Sequence, residues 1–450
     1  MTIGVSAISV LRNRDFRLYA WSSLLGALAA EILVVAIGWS IYDVSRDPID
    51  LGYVYLVQFL PSFFLVFLTG AAADRYPRKS IVALCQLLEC VFTLGIFLVA
   101  NAGMHHVWPI LILVAGLGAS RAFYNPAALA LAPTLVERAQ IPSAIACSTS
   151  SWQLSAIAGP ALGGVLYSLS PFIAYTTALV MAAAATLAVV GIRKVEEPRP
   201  REAATLESLA GGFRFMLREK VVLGASSLDL FAVLLGSATA LLPIFARDIL
   251  VAGPTGLGLL RAGVGIGALP MAIFLGLFPI RRRAGWIMFS TVAVFGISII
   301  VFGFSHRIWL SVAALIVMGA SDMISVYIRE VLVQLWTPDP LRGRVNAVYM
   351  LMITASNELG GFRAGLSAKA FGIVYMWMYV TESDSGGERS TLAATVFGAV
   401  AAVVVGGICT LIVAALWARW FPAIRNADDL TNTKQLEPEL HEAAKASMLD

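Results

Sequence analysis

Charged residues are scarce in this chain, and their scarcity excludes an ordinary soluble fold. Only 13% of the 450 residues are Asp, Glu, Lys or Arg, whereas 59% are hydrophobic. The mean hydropathy is +0.81. Soluble domains carry about 25% charged residues. A chain this apolar lacks the polar groups to cover a surface in water, and lipid resolves the problem by replacing water around the outer face. We therefore predict an integral membrane protein.

The sequence is also poor in residues that hold metals or form disulfides. Its four cysteines lie inside apolar runs without a CxxC pair, which is typical of small buried residues. There is no HExxH, no GxSxG and no metal-spaced histidine cluster. The net charge of +4 gives no reason to expect a nucleic-acid partner. These absences predict a protein that is not an enzyme and that has no metal site, no cofactor and no nucleic-acid partner.

Long apolar runs are what the sequence has in abundance. A bilayer core needs about 20 apolar residues per helix. Twelve runs reach this length, at about 18–42, 51–73, 80–101, 107–132, 143–168, 171–192, 222–246, 254–279, 285–305, 308–329, 345–379 and 392–418. The pattern predicts an all-α integral membrane fold of twelve transmembrane helices in two pseudo-symmetric six-helix bundles.

The basic residues support an even number of spans. With the N-terminus inside, most of the 32 Lys and Arg residues fall in cytoplasmic segments. Outside segments receive only Arg46, Arg247, Arg307 and Arg389. Positive residues on short loops stay cytoplasmic, so a miscount by one span would have scrambled this alternation. We expect both termini to be cytoplasmic.

A polar stretch at about 193–220 divides the chain into halves. It separates an N-terminal bundle (1–192) from a C-terminal bundle (221–425), and a polar, largely disordered tail (426–450) follows. Within the stretch, residues 206–217 mix apolar and charged side chains at helical spacing. This predicts an amphipathic helix on the inner membrane surface, with a flexible tether as the alternative.

Two features of the second half bear on its architecture. The pair Gly159-x-x-x-Gly163 recurs as Gly361-x-x-x-Gly365, as expected if the chain consists of two repeats with a substrate site at their interface. The eleventh run, 345–380, is too long for one span. We expect a helix that is broken near Gly360 and Gly361 or that projects beyond the outer face, followed by an outside hairpin at 381–390.

The loop after the second span carries a recognisable motif. Residues 70–79 read GAAADRYPRK, which resembles the signature G-x-x-x-D-R-x-G-R-K of the major facilitator superfamily, with Pro77 in place of Gly. The resemblance implies that Asp74 faces the N-terminal end of helix eleven when the inner gate is shut, since a helix dipole attracts an anion there. The gating residues implied by this loop and by helix eleven are Gly70, Asp74, Arg75, Arg78, Lys79, Arg342 and Arg344.

Two further spans match patterns of the same superfamily. Leu117-x-x-x-Arg121 resembles a second motif, whose intramembrane arginine is tied to proton coupling. Residues 155–164 read SAIAGPALGG, similar to the G-x-x-x-G-P-x-x-G-G motif of proton-driven antiporters. Gly159, Pro160 and Gly163 would let helix five bend and press on a neighbour. The resemblance implies that this neighbour is helix eight, through Gly263 and Gly267.

The two ends of the chain narrow the resemblance. The opening LRNRDFRL at 11–18 and the segments 357–360 and 406–408 look like the exporter branch that includes the enterobactin exporter. That branch contains siderophore, drug and uncharacterised exporters. The resemblance covers the whole chain except for about 373–395, which reads as an insertion. It implies a bacterial inner (plasma) membrane location.

Acidic residues inside the spans are candidates for carrying protons. An ionised acid costs at least about 2.5 kcal/mol at the bilayer centre, so it faces a wet cavity, pairs with a base or stays protonated. Five acids lie in predicted spans, namely Glu31, Glu89, Asp229, Asp322 and Glu358. Glu31 is midway along helix one, which the resemblance implies lines the central cavity. The resemblance places Glu89 at the periphery, outside the expected site.

The remaining acids have several open roles. Asp229 is on helix seven, the counterpart of helix one. Asp322 would pair with Arg121 only if the two halves meet there. Glu358 and Arg363, five residues apart on helix eleven, would pair with other helices or flank a break at Gly360. For every acid, a salt bridge or hydrogen bond that only fixes helix packing is the alternative.

These observations predict a proton-coupled exporter of a small amphipathic compound, a drug or a siderophore, working as a monomer by alternating access. The predicted partners are this small-molecule substrate, protons and membrane lipid. Alternatives are a lysolipid flippase, an iron or siderophore carrier, and a non-transporting membrane sensor. The lack of an attached signalling domain argues against the sensor.

Overall fold

The structure, a computed structural model, describes residues 10–193, 206–280, 282–379 and 387–425. These ranges hold twelve long helices. They are α1 (Arg14–Ser45), α2 (Pro48–Arg75), α3 (Arg78–Asn101), α4 (Trp108–Leu131), α5 (Ile141–Leu169), α6 (Pro171–Val190), α7 (Lys220–Gly236), α8 (Gly253–Leu277), α9 (Ala284–Phe304), α10 (Ile308–Trp336), α11 (Arg342–Tyr379) and α12 (Glu388–Trp420). The predicted all-α, twelve-helix membrane fold is confirmed.

The helices suit a solvent without hydrogen-bonding groups, because each one satisfies its own backbone. Ten helical segments of the described ranges are long and apolar enough to cross a membrane. The two other long helices, α5 and α11, are not among these ten. Some helix starts carry side-chain caps, as when Asn13 accepts from the backbone N–H groups of Asp15 and Phe16. Asp47 and Ser170 cap α2 and α6 in the same way.

The chain forms two compact units. The first comprises the described residues of Met1–Ala204 together with Leu242–Ala262, and the second those of Thr205–Leu241 together with Gly263–Asp450. In the first unit α1 packs on α5 and α6, α3 packs on α4 and α6, and α2 packs on α4. In the second, α7 packs on α11 and α12, and α9 packs on α10 and α12. Four of the five pairs recur six helices later, as expected for a two-repeat architecture.

The helix Leu206–Arg218, here called the linker helix, belongs to the second unit. Its Phe215 and Met216 are buried in a cluster with apolar residues of α10 and α11. Gly212 lies against the backbone of Arg344, too close for a side chain at this position. The predicted amphipathic helix therefore exists, and its apolar face packs on protein at these residues.

Helix α11 corrects one expectation. It runs without interruption from Arg342 to Tyr379, 38 residues, so the predicted break near Gly360 is wrong and the alternative of an over-long helix holds. Gly360 instead allows close approach, because a Cβ there would lie 3.0 Å from the Val233 carbonyl oxygen of α7. Of the expected outside hairpin at 381–390, residues 388–390 belong to α12, which begins at Glu388. Residues 380–386 lie outside the described ranges.

Candidate functional site

The small residues of α5 press this helix against two neighbours. A Cβ on Gly163 would lie 3.1 Å from Ile32 Cα of α1, and Gly159 abuts the side chain of Glu31. On another face, a Cβ on Gly164 would lie 2.6 Å from the Pro254 carbonyl oxygen and 3.0 Å from Gly258 Cα of α8. Helix α5 therefore holds α1 and α8 through glycine contacts that no larger residue could make.

These contacts correct the residues of helix eight that were expected to pack against the glycine-proline motif of α5. Helix eight is the right neighbour, but Gly258 makes the contact, not Gly263 or Gly267. Those two glycines face α10 instead, near Val312 and Ile316. The reason is geometric: the contact lies between the first turns of α8 and the second half of α5.

Glu31, the first candidate for proton coupling, lies at this junction. Its side chain is half-buried in the middle of α1. The carboxyl group interacts electrostatically with the guanidinium groups of Arg261 and Arg121. No ion pair within 4.0 Å joins it to any base in the residues that the structure describes. Glu31 thus combines a position in the middle of a membrane-spanning helix with a carboxyl group that forms no ion pair with any arginine of the described ranges.

Arg121 of α4 has a partner that sequence reasoning left aside. Its Nε lies 3.5 Å from Glu89 Oε1 of α3, with 14% of the Glu89 side chain exposed. The signal was present, because an intramembrane arginine calls for an acid on an adjacent span, and Glu89 is such an acid. Glu89 therefore belongs to the candidate site, next to Arg121.

Arg261 of α8 is a second residue that the sequence reasoning did not select. Its Nη2 donates a hydrogen bond to the Tyr55 hydroxyl at 3.3 Å. Its Nε is buried and has no hydrogen-bond partner among the described residues. An arginine inside a predicted span was the available signal.

The second unit binds its charges tightly. Arg329 of α10, with 2% of its side chain exposed, lies 2.6 Å from Asp229 Oδ1 of α7. Asp322, about two helical turns earlier on α10, lies 3.9 Å from the same guanidinium and is 41% exposed. Arg329 was missed because the tenth span was expected to end there, whereas α10 continues to Trp336. Asp322 and Arg121 each find an opposite charge within their own unit.

Arg363 of α11 meets backbone rather than an acid. Its Nε donates to the Leu234 carbonyl at 3.0 Å, and Nη2 donates to the Ser237 carbonyl at 3.1 Å. These carbonyls end α7, where helical hydrogen bonding stops. A cation at the C-terminal end of a helix is favourable. Glu358 is half-buried on the same helix.

The basic loop between α2 and α3 also touches helix ends. Arg78 donates to the Ala130 carbonyl of α4 at 3.2 Å, and Lys79 donates to the Ile192 carbonyl just after α6. Arg75 is exposed. The side-chain surroundings of Gly70 and Asp74 lie outside what the structure describes, so the expected latch stays a prediction.

The other two gating candidates lie at the start of α11. Arg342 pairs with the neighbouring Asp339 at 2.6 Å, and both side chains are well exposed. Arg344 lies against the linker helix at Gly212.

A charge network closes the end of α1 that is remote from Asn13. After α7, the backbone forms a wide turn in which Leu250 N–H bonds to the Phe245 carbonyl five residues earlier. This turn places Arg247 against Asp43 and Asp248 against Tyr42. Asp248 also lies 3.4 Å from Arg46. All of these residues belong to the first unit.

Comparison with known proteins identifies the family. Residues 5–381 match the family of transmembrane secretion effectors. The chain belongs to this family of the major facilitator superfamily. It is 27% identical over 369 residues to the enterobactin exporter EntS of Citrobacter koseri, covering 80% of this chain and 86% of that protein. The corresponding protein of Escherichia coli O1:K1 is 26% identical over the same shares.

Solved structures show the same fold. A bacterial homologue of the human lysosomal transporter Spinster, inward-facing and unoccupied, superposes with a TM-score of 0.73 at 15% identity, over 92% of this chain and 98% of that one. The nucleoside transporter NupG gives a TM-score of 0.65 at 14% identity, over 91% of this chain and 99% of that one. The protein is thus a multi-pass membrane transporter of a small molecule and not an enzyme.

Proposed function

We propose that this protein is a proton-coupled exporter of a small amphipathic compound, a drug or a siderophore, in a bacterial inner membrane with both termini cytoplasmic. The direction rests on its family of secretion effectors and on relatives named as exporters. Transport proceeds by alternating access of the two six-helix bundles.

The observation that carries proton coupling is Glu31. A carboxyl group inside the membrane either pairs with a base, faces water or takes up a proton. Asp229 is paired with Arg329, and Glu89 is paired with Arg121. Glu31 has electrostatic attraction from two arginines without an ion pair among the described residues. Its protonation therefore changes the charge of the site without breaking a salt bridge.

The proposed cycle uses this change in charge. Protonation of Glu31 exchanges with substrate binding, so that a proton enters as the substrate leaves. Asp229, Asp322 and Glu358 remain candidates for a second coupling group. Because α5 contacts α1 at Glu31 and α8 at Gly258, movement of either helix changes the surroundings of the carboxyl group.

The test is proton-driven transport in proteoliposomes. With an imposed pH gradient, wild-type protein should accumulate enterobactin or ethidium, a siderophore and a cationic drug used as trial substrates, and should move protons in the opposite direction. Glu31→Gln should abolish the proton flux. Asp43→Asn, which removes an exposed acid from the same helix, is the matched control and should retain it. Unchanged coupling in Glu31→Gln would remove Glu31 from the mechanism.

A further inference from the structure

The buried charges around α10 do not balance. Arg329 is the shared partner of Asp229 and Asp322, so two carboxyl groups meet one guanidinium group. Asp229 Oδ1 lies 2.6 Å from Arg329 Nη1, whereas Asp322 Oδ1 lies 3.9 Å from Arg329 Nη2. The longer distance is beyond hydrogen-bond reach. Asp322 is therefore the acid in excess, and an excess negative charge inside a membrane-spanning helix is costly unless water or a proton reaches it.

A small cavity lies beside this acid, within the second unit. It is lined by apolar side chains of α7 and α9 and by Asp322, Ser325 and Arg329 of α10. These three residues are spaced by three and four positions, which places them on one face of the helix. The cavity has room for about one water molecule.

Two buried polar atoms at the cavity lack a partner within the described ranges. Ser325 and Arg329 are each 2% exposed, and neither Ser325 Oγ nor Arg329 Nε makes a hydrogen bond to a described residue. A buried polar atom without a partner is costly. A buried water typically makes about three hydrogen bonds, and these two atoms together with the Asp322 carboxyl group supply that number.

We propose that Asp322 is a second proton-exchanging acid of the transport cycle, served by a water molecule that Ser325 and Arg329 hold in this cavity. The proposal rests on the proposed function and adds a coupling group in the second unit. In the proton step, the water gives a proton to a carboxylate oxygen of Asp322 and takes another from bulk water, so only O–H bonds form and break. One bridging water is enough for such a transfer. The proton is taken up as substrate leaves, and the reverse step returns it to the cytoplasm.

Exposure separates Asp322 from its neighbour Asp229. The Asp322 side chain is 41% exposed, against 5% for Asp229. Protonation of Asp322 gives up only the longer contact to Arg329 and leaves the shorter pair intact. Protonation of Asp229 would instead break the shorter pair in the interior. Proton exchange therefore costs less free energy at Asp322.

The elements around Asp322 supply few other charges. Its carboxyl group interacts electrostatically with Arg329 and Asp229, which is the one charged side chain of α7 beyond the first residue of that helix. Neither α9 nor the part of α8 in the second unit contains Asp, Glu, Lys or Arg. Glu330 of α10 is exposed, and both it and Tyr349 of α11 interact with Arg329. The local balance is thus set by two acids and one base.

The transport test measures how many protons move per substrate molecule. Purified full-length protein is reconstituted in proteoliposomes without a membrane potential, at a gradient of about one pH unit, with ethidium or enterobactin as the probe. Asp322→Asn should still transport with one proton fewer per molecule, which lowers the limiting accumulation about tenfold at that gradient. Glu330→Gln, which removes an exposed acid from the same helix, is the matched control and should keep the wild-type ratio. An unchanged ratio in Asp322→Asn would overturn the proposal.

A second measurement does not depend on transport. Infrared difference spectra of the purified protein between a mildly acidic and a mildly alkaline pH should show a protonated-carboxyl band that is absent from Asp322→Asn and present in Glu31→Gln. If Asp322→Asn retains every such band, Asp322 does not exchange a proton. Ser325→Ala should keep the band and the proton ratio but slow the flux several-fold, because the water loses one of its partners. An unchanged flux in Ser325→Ala would remove the water from the proposal.

Stability distinguishes proton exchange from packing. Asp322→Asn should melt close to wild type because the pair of Asp229 and Arg329 remains, whereas Asp229→Asn should melt lower. A loss in Asp322→Asn as large as that in Asp229→Asn would make Asp322 a structural partner of Arg329.

The two proposals fail separately. Glu31 exchanges with substrate, so Glu31→Gln should stop the coupled cycle, whereas loss of Asp322 should only lower the proton ratio. If Asp322→Asn keeps the wild-type ratio while Glu31→Gln loses proton flux, the second acid is wrong and the coupled exporter stands. If the ratio falls in Asp322→Asn while Glu31→Gln keeps its flux, Asp322 stands and the role of Glu31 is wrong.

Discussion

The two compact units pack helices in equivalent pairs but balance their intramembrane charges differently. In the second unit, Arg329 is enclosed by Asp229 and Asp322, and Arg363 ends on backbone carbonyls. In the described part of the first unit, Glu31 and Arg261 attract each other without forming an ion pair. An arrangement of helices can thus be repeated while the pairing of its intramembrane charges diverges.

The largest loss of stability is expected from breaking the buried ion pair of the second unit. Arg329→Gln leaves Asp229 buried without its cation, and removal of one partner of a buried pair costs about 3–5 kcal/mol. Thermal or denaturant unfolding in detergent should show this loss. The double variant Asp229→Asn with Arg329→Gln should recover much of it, because both charges are gone. Equal losses in the single and double variants would contradict a stabilising pair.

The next largest effect tests whether the stability of the first unit depends on the close contact between α5 and α8. Gly164→Val puts a side chain where the Pro254 carbonyl and Gly258 already lie, and overpacking of this kind costs about 1–3 kcal/mol. Transport should fall together with the melting temperature. Gly276→Val, on the same α8 but with nothing within 4 Å of a Cβ among the described residues, is the matched control and should change little. A harmless Gly164→Val would show that α5 and α8 are not pressed together.

A smaller effect is expected at the end of α7. Arg363→Gln removes a charged donor from two carbonyls, for which about 1–2 kcal/mol is expected. Arg363→Lys keeps the charge but has no fork to reach both oxygens, so its melting temperature should be intermediate. If lysine restored full stability, the bidentate contact would be unimportant and the charge alone would matter.

The smallest effect belongs to the exposed charges of the first unit. Asp43 is 48% exposed and its partner Arg247 is 22% exposed, so Asp43→Asn should cost about 0–1 kcal/mol. The difference from wild type should shrink further at high salt, because exposed pairs are screened. A large, salt-independent loss would mean that water does not reach this pair and would narrow the contrast between the units.

Much of the architecture was predictable from the sequence because lipid imposes strong rules. The lengths of the apolar runs predicted the membrane spans. The alternation of basic and non-basic loops predicted that their number is even. For helix α11 the sequence left a break and an over-long helix open, because paired glycines suggest a break as readily as a close contact. Only the proximity of Val233 to Gly360 decides between them.

The site was less predictable than the fold, because a charge inside a span indicates that it needs a partner without identifying one. Glu31 and Arg121 were both selected, and they interact electrostatically, whereas Glu89 was left at the periphery. Arg329 was taken as the last residue of the tenth span, whereas α10 continues for about two further turns to Trp336. Arg261 needed the contact between Gly258 and Gly164 to bring it near Glu31.

The charge network at the far end of α1 also affects how α1 and the wide turn after α7 align with each other. Along α1 the order is acid then base, Asp43 then Arg46, while along the wide turn it is base then acid, Arg247 then Asp248. Only one alignment matches every charge with its opposite. A reversed or displaced docking would set Asp43 beside Asp248 and Arg46 beside Arg247, and repulsion would reject it. The order of charges therefore favours a single alignment of the two segments.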